Sequence, residues 1–185
     1  MVKNVLRACL GLSLCLGSSW LLCSYRGGFA APKNRVVHGL MVYILDTGVT
    51  TKLRSAPKGS VVMQLPAGRR YRFEVEAVRN GWWRLADNQE IVTNDKPDVE
   101  YRVSSPTWVH YSLLTLTTNN AHRQWLTLYA RPNERAEGVY SFRGEIQIHP
   151  LEVRGEWCRV QTLDKKYTGW LQRRWLSAHP AVHSI

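Results

Sequence analysis

Leu128-Tyr129-Ala130-Arg131-Pro132 opens, Gly155-Glu156-Trp157-Cys158-Arg159-Val160 centres and Gly169-Trp170-Leu171-Gln172-Arg173-Arg174-Trp175-Leu176 closes a stretch that reads as one complete small β-barrel unit. Most of the chain before it reads as a second copy. A shift of 75 positions brings Leu53-Arg54-Ser55-Ala56-Pro57 under the opening and Trp82-Trp83-Arg84-Leu85 under Trp157-Cys158-Arg159-Val160. The closing element recurs as Trp108-Val109-His110-Tyr111-Ser112-Leu113-Leu114 at a shift of 62, so the first copy carries 13 extra residues between Leu85 and Trp108. An interval that holds this well is the signature of an internal repeat.

The N-terminus has the layout of an export signal. Lys3 and Arg7 form a basic head, Ala8 to Cys23 an apolar middle, and Gly28, Ala30 and Ala31 a small-residue cleavage site placed after Ala30. The apolar run is 16 residues long and is interrupted by Gly11, Ser13, Gly17, Ser18 and Ser19. A membrane span needs roughly 20 residues, so membrane contact is expected only if the signal stays uncleaved. Cleavage removes Lys3, Arg7 and Arg26 and no acid, which takes the formal net charge from +11 to +8. An exported protein this basic suits anionic partners such as cell-wall polymers or headgroups. Export to the periplasm or cell surface also argues against a nucleic-acid partner. Cys9, Cys15 and Cys23 leave with the signal, so Cys158 has no internal disulfide partner and the fold must rest on its core.

Along the remainder, apolar and polar residues alternate with a period of two, as in Tyr71-Arg72-Phe73-Glu74-Val75-Glu76 and Glu145-Ile146-Gln147-Ile148. Arg79-Asn80-Gly81 and Arg143-Gly144 mark turns. No stretch after the signal has a helical period, so the expected class is all-β, with two small SH3-like barrels in tandem after the signal peptide (1–30). The first is placed at 35–114 and the second at 122–177, joined by a polar linker at 115–121 and followed by a tail at 178–185. The extra residues of the first copy fall in 86–107, which holds Asp87, Glu90, Asp95, Asp98 and Glu100 against Lys96 and Arg102. They read as an acidic protruding hairpin that folding can do without.

Catalytic patterns are missing. The alternation in 157–160 puts Cys158 on the face of Val160, a buried inert thiol. His149 and His179 have no spacing that favours a Cys–His pair, and His179 with His183 lies in a Pro-containing tail without Cys or carboxylate company. A phosphate loop and a nucleophile elbow are also lacking, so no cofactor, no metal and no enzymatic activity are expected. Eight tryptophans, seven of them after residue 30, are many for this size. Trp82, Trp108, Trp157 and Trp170 are assigned mainly to the core. Aromatic rings beside arginines offer stacking and charge pairing. On that basis the candidate ligand-binding residues are Tyr129, Arg131, Asn133, Trp157 and Trp175 in the second copy, with Arg54, Trp83 and Tyr111 in the first.

Leu53-Arg54-Ser55-Ala56-Pro57, Gly81-Trp82-Trp83-Arg84-Leu85, Trp108-Val109 with Leu113-Leu114, and Gly169-Trp170-Leu171 with Trp175-Leu176 together resemble the bacterial SH3-like (SH3b) domains of exported cell-envelope proteins. Lys52 and Thr127 stand where that family usually has asparagine, and Ala56 and Arg131 where it usually has glycine, so the motif loop is expected to be reshaped. The resemblance implies a non-catalytic binding or targeting module for peptidoglycan or its peptides. The competing expectation is an adaptor for an envelope protein, docked through the acidic hairpin.

Overall fold

The computed structural model describes residues 35–45, 48–93 and 101–178. The expected signal segment at 1–30, the middle of the expected hairpin at 94–100 and the tail beyond 178 lie outside these residues. The described chain is all-β: β1 (Arg35–Ile44), β2 (Thr51–Arg54), β3 (Val61–Leu65), β4 (Tyr71–Arg79), β5 (Trp82–Leu85), β6 (Glu90–Thr93), β7 (Tyr101–Arg102), β8 (Trp108–His110), β9 (Leu114–Thr118), β10 (Leu126–Tyr129), β11 (Gly138–Phe142), β12 (Gln147–Arg154), β13 (Trp157–Thr162), β14 (Thr168–Gln172) and β15 (Leu176–Ser177). Single 3₁₀ turns at Tyr111–Leu113 and Arg173–Trp175 precede β9 and β15.

Local sequence explains the strands. In β2 the order Thr51, Lys52, Leu53, Arg54 alternates buried with outward positions, and Leu126, Thr127, Leu128, Tyr129 repeat that alternation in β10. Asn80 and Gly81 both hold positive φ, 50° and 77°, which fits the two-residue turn that brings Arg79 opposite Trp82. Gly155, at φ 55°, opens the equivalent turn between Arg154 and Trp157. Gly169 serves a close approach: a Cβ there would stand 2.8 Å from Leu128 Cβ and 3.1 Å from the Tyr129 carbonyl oxygen.

All pairings are antiparallel, and they link the strands into one sheet along the path β11-β10-β14-β13-β12-β9-β1-β4-β5-β8-β2-β3, with β15 on β9 and the β6–β7 hairpin on β4. The path does not close on itself, so the strand pairing departs from the expected pair of separate closed barrels. The repeat is nonetheless written into the register. Val42 opposes Phe73 as Leu116 opposes Ile148, and Tyr43 opposes Thr115 as Thr117 opposes Ser177. β9 therefore ends the first copy and begins the second.

That shared strand corrects the expected linker at 115–121. Leu114 to Thr118 are all buried. Threonine is β-branched and fits a pleated interior once its hydroxyl is satisfied. Thr117 Oγ1 lies 3.0 Å from Tyr43 Oη, and Thr118 Oγ1 accepts from the Ile146 amide at 2.9 Å. Asn120 completes the junction by donating to the carbonyls of Gln124 and Gly144 and accepting from the Gln124 amide. One core cluster runs through both copies, with Leu53, Phe73, Trp83 and Leu85 on one side of β9 and Leu128, Ile148, Val160 and Leu171 on the other.

The inserted hairpin is present, but it is not a free extension. Ile91 and Val103 belong to the core, the Tyr101 ring meets Tyr71 edge-on at 5.8 Å, and Gln89 accepts from the Glu74 amide and donates to its carbonyl at 2.7 Å each. The inward face of the hairpin is apolar and packs into the core, so folding is now expected to need it. Ile91→Ala should cost about 2–5 kcal/mol of stability, read from urea unfolding. A loss below about 0.5 kcal/mol, the range of surface substitutions, would restore the free-extension reading.

Candidate functional site

The outward positions of β10, β13 and the end of β14 build a groove of about 250 Å³ on the second copy, lined by Trp125, Tyr129, Glu134, Trp157, Gln172, Arg174 and Trp175 among others. Tyr129 and Trp157 meet edge-on at 5.9 Å, an arrangement that leaves ring surface uncovered on a half-buried floor. Trp125 is 63% exposed, with the Arg143 guanidinium 4.7 Å from its ring. Arg174 lies over Trp175 at 5.3 Å. Glu134 ties the rim together, accepting from Gln172 Nε2 at 2.7 Å and pairing with Arg174 at 3.6 Å. Flat apolar faces edged by one carboxylate, one guanidinium and one amide can hold a sugar ring or a peptide group.

The same groove exists on the first copy. It measures about 440 Å³ and is lined by Thr50, Lys52, Arg54, Trp82, His110 and Leu113. The repeat shifts of 75 and 62 carry these six residues onto Trp125, Thr127, Tyr129, Trp157, Gln172 and Trp175, all of which line the second groove. The floor tryptophan is retained and its surroundings are exchanged. Arg54 donates one N–H to the Gly59 carbonyl at 2.7 Å, and the His110 ring packs on Trp82 at 5.2 Å and on Tyr111 at 4.6 Å.

Of the eight residues expected to bind ligand, Tyr129, Trp157 and Trp175 come together in the second groove and Arg54 lines the first. Arg131 and Asn133 are exposed on the β10–β11 loop and do not line the groove. Asn133 shapes that loop instead, its Oδ1 accepting from the Arg135 amide at 2.9 Å. Trp83 is 0% exposed and cannot touch a ligand, since β5 alternation sends Trp82 outward and Trp83 into the core. Tyr111 does not line the first groove; its ring meets those of His110 and His149. Sequence reasoning missed Trp125, Glu134 and Gln172, as well as Lys52, Trp82 and His110. Extending the 75-residue shift back to Thr50 would have found Trp125.

Trp108 and Trp170 are buried, as assigned, and each carries an arginine over its ring: Arg79 at 5.2 Å and Arg154 at 5.1 Å, themselves repeat partners. The hairpin acids Asp87 and Glu90 are paired with Arg84 and Arg102. Among the described residues no group of three or more His, Cys, Asp or Glu could hold a metal.

Cys158 is buried, its Sγ 3.6 Å from the Arg159 carbonyl, and burial pushes its thiol up to about 12. His149 is committed elsewhere, with Nδ1 donating to the Leu114 carbonyl at 2.7 Å. Labelling of Cys158 by a thiol reagent at pH 8 should therefore be slow in the native protein and become fast only on unfolding. Fast native labelling would show an accessible thiolate and reopen a catalytic role.

No family model matches the chain, and no curated protein matches it. Two solved structures are similar in outline, NlpC2 and NlpC1 from Trichomonas vaginalis, each at 12% identity and over 80% of this chain, with TM-scores of 0.30 and 0.29. The chain spans about half their length, 49% and 48%. At such scores nothing about activity passes to this protein.

Proposed function

We propose that the protein is an exported, non-enzymatic binding module of the cell envelope, built from two SH3-like units fused through β9, and that it takes peptidoglycan or its peptides in the aromatic groove of the second copy. The observation that carries this reading is the gathering of Trp125, Tyr129, Trp157 and Trp175 around one groove with Glu134 and Arg174 at its edge. Four large aromatic side chains at one partly exposed place exceed what a small core needs, and such clusters supply binding energy at interfaces. The basic balance and the export signal supply the setting.

Sedimentation of the mature protein with purified sacculi tests it. Trp157→Ala and Trp175→Ala should each weaken binding about tenfold, the effect of losing a buried aromatic contact, while remaining folded by circular dichroism. Stacking should also hold at physiological salt, where exposed charges are screened beyond roughly 8 Å. Folded variants that sediment like the wild type would remove the groove from the reading. A stoichiometric protein partner recovered from the envelope, with no sedimentation, would favour the adaptor.

A further inference from the structure

The first groove keeps the frame of the second and reverses its chemistry. Thr50, just before β2, and the outward Lys52 and Arg54 of β2 take the places of Trp125, Thr127 and Tyr129. His110 takes the place of Gln172, and Trp82 remains as the floor in the place of Trp157. Leu113 replaces Trp175, so a smaller side chain closes the groove, which is also the larger of the two at about 440 Å³.

Its charged groups are donors. Arg54 has five N–H groups, of which one goes to Gly59, and Lys52 brings three. His110 Nδ1 accepts from the Ser112 amide at 3.4 Å and sits 2.8 Å from Ser112 Oγ, contacts that fit a neutral ring with its proton on Nε2. Burial lowers the His110 pKa, so at neutral pH the positive charge comes from Lys52 and Arg54. No carboxylate lines the groove among the described residues. The second groove has Glu134 at its rim.

We infer that the first groove is a carboxylate-binding site, in which Lys52 and Arg54 pair with the acid of a ligand whose ring or peptide plane rests on Trp82. The inference deepens the cell-envelope reading by dividing the work: the second copy stacks on neutral parts of the wall and the first copy selects its acid groups. Arginine suits a carboxylate because its planar fork matches the two oxygens.

The probe is N-acetylmuramic acid, compared with N-acetylglucosamine, which has the same ring without the lactyl carboxylate. Binding is followed on the full mature chain through the tryptophan indole N–H signals. N-acetylmuramic acid should shift the Trp82 signal and bind at least about tenfold more tightly than N-acetylglucosamine, the scale of one hydrogen bond to a charged group. Arg54→Gln and Lys52→Gln should remove that preference and leave the Trp157 and Trp175 signals as they were. Arg54→Lys should restore part of it. Equal binding of the two sugars, no binding of either, or a preference that survives both glutamine variants would overturn the inference. The two readings fail separately: sacculi retained through Trp157 and Trp175 with no acid preference leave the second groove standing, and a Trp82 shift without sedimentation leaves the first.

Discussion

Expression of residues 122–178 alone is expected to give an unfolded polypeptide, and a fragment starting at residue 111 is expected to fold. The shorter fragment lacks β9, which pairs Leu116 and Thr117 with Ile148 and Gln147 of β12 and Thr117 and Thr118 with Ser177 and Leu176 of β15. It also loses Leu116, 0% exposed, and the Asn119 amide bond to the Trp175 carbonyl that holds the last 3₁₀ turn. Burying one leucine contributes about 1.5–3 kcal/mol. A domain of roughly 60 residues is marginal from the outset, with total stability at the lower end of about 5–15 kcal/mol. Removing an entire strand exceeds that margin. Circular dichroism and urea unfolding of both fragments decide the matter, and a cooperative melt for residues 122–178 would show that the copies are separable after all.

Trp83→Ala should be the most damaging single substitution, at about 3–5 kcal/mol. Trp83 is among the largest side chains at 0% exposure, and β5 holds it between Val78 of β4 and Val109 of β8. Few neighbours can move to fill the space it leaves. Trp157→Ala removes a half-buried ring from the groove wall and should cost only about 1 kcal/mol. The pair separates core from site by urea unfolding measured side by side. A Trp83→Ala protein that melts like the wild type but no longer binds would return Trp83 to the ligand surface.

Much of this was legible from residue order. Period-two alternation announced the strands, Asn80-Gly81 announced its turn, and the 75-residue shift announced a repeat that the strand register bears out at Phe73 and Ile148. The segment 115–120 misled because threonines and asparagines resemble a linker until side chains such as those of Thr117 and Thr118 find partners, and Tyr43 Oη and the Ile146 amide come from distant parts of the chain. The hairpin misled through its acidic composition: among the described residues Asp87 and Glu90 are exposed and paired with arginines, while Ile91 and Val103 face the core. Trp83 was misassigned because adjacent tryptophans in a strand must face opposite ways, and Trp82 was the outward one. Trp125 and Glu134 were missed because a groove gathers side chains from several parts of the chain, and no short motif records that.

The tryptophan indoles offer the most direct test of the claim that the second groove is where ligand binds. Seven tryptophans lie after residue 30, and they divide by position: Trp125, Trp157 and Trp175 line the second groove, Trp82 the first, and Trp83, Trp108 and Trp170 are buried. Each indole N–H gives its own signal in a ¹H–¹⁵N spectrum of the mature protein titrated with soluble peptidoglycan fragments. The Trp125, Trp157 and Trp175 signals should shift together along one binding curve while those of Trp83, Trp108 and Trp170 stay in place. Saturating fragments that leave Trp125, Trp157 and Trp175 unmoved would contradict the assignment.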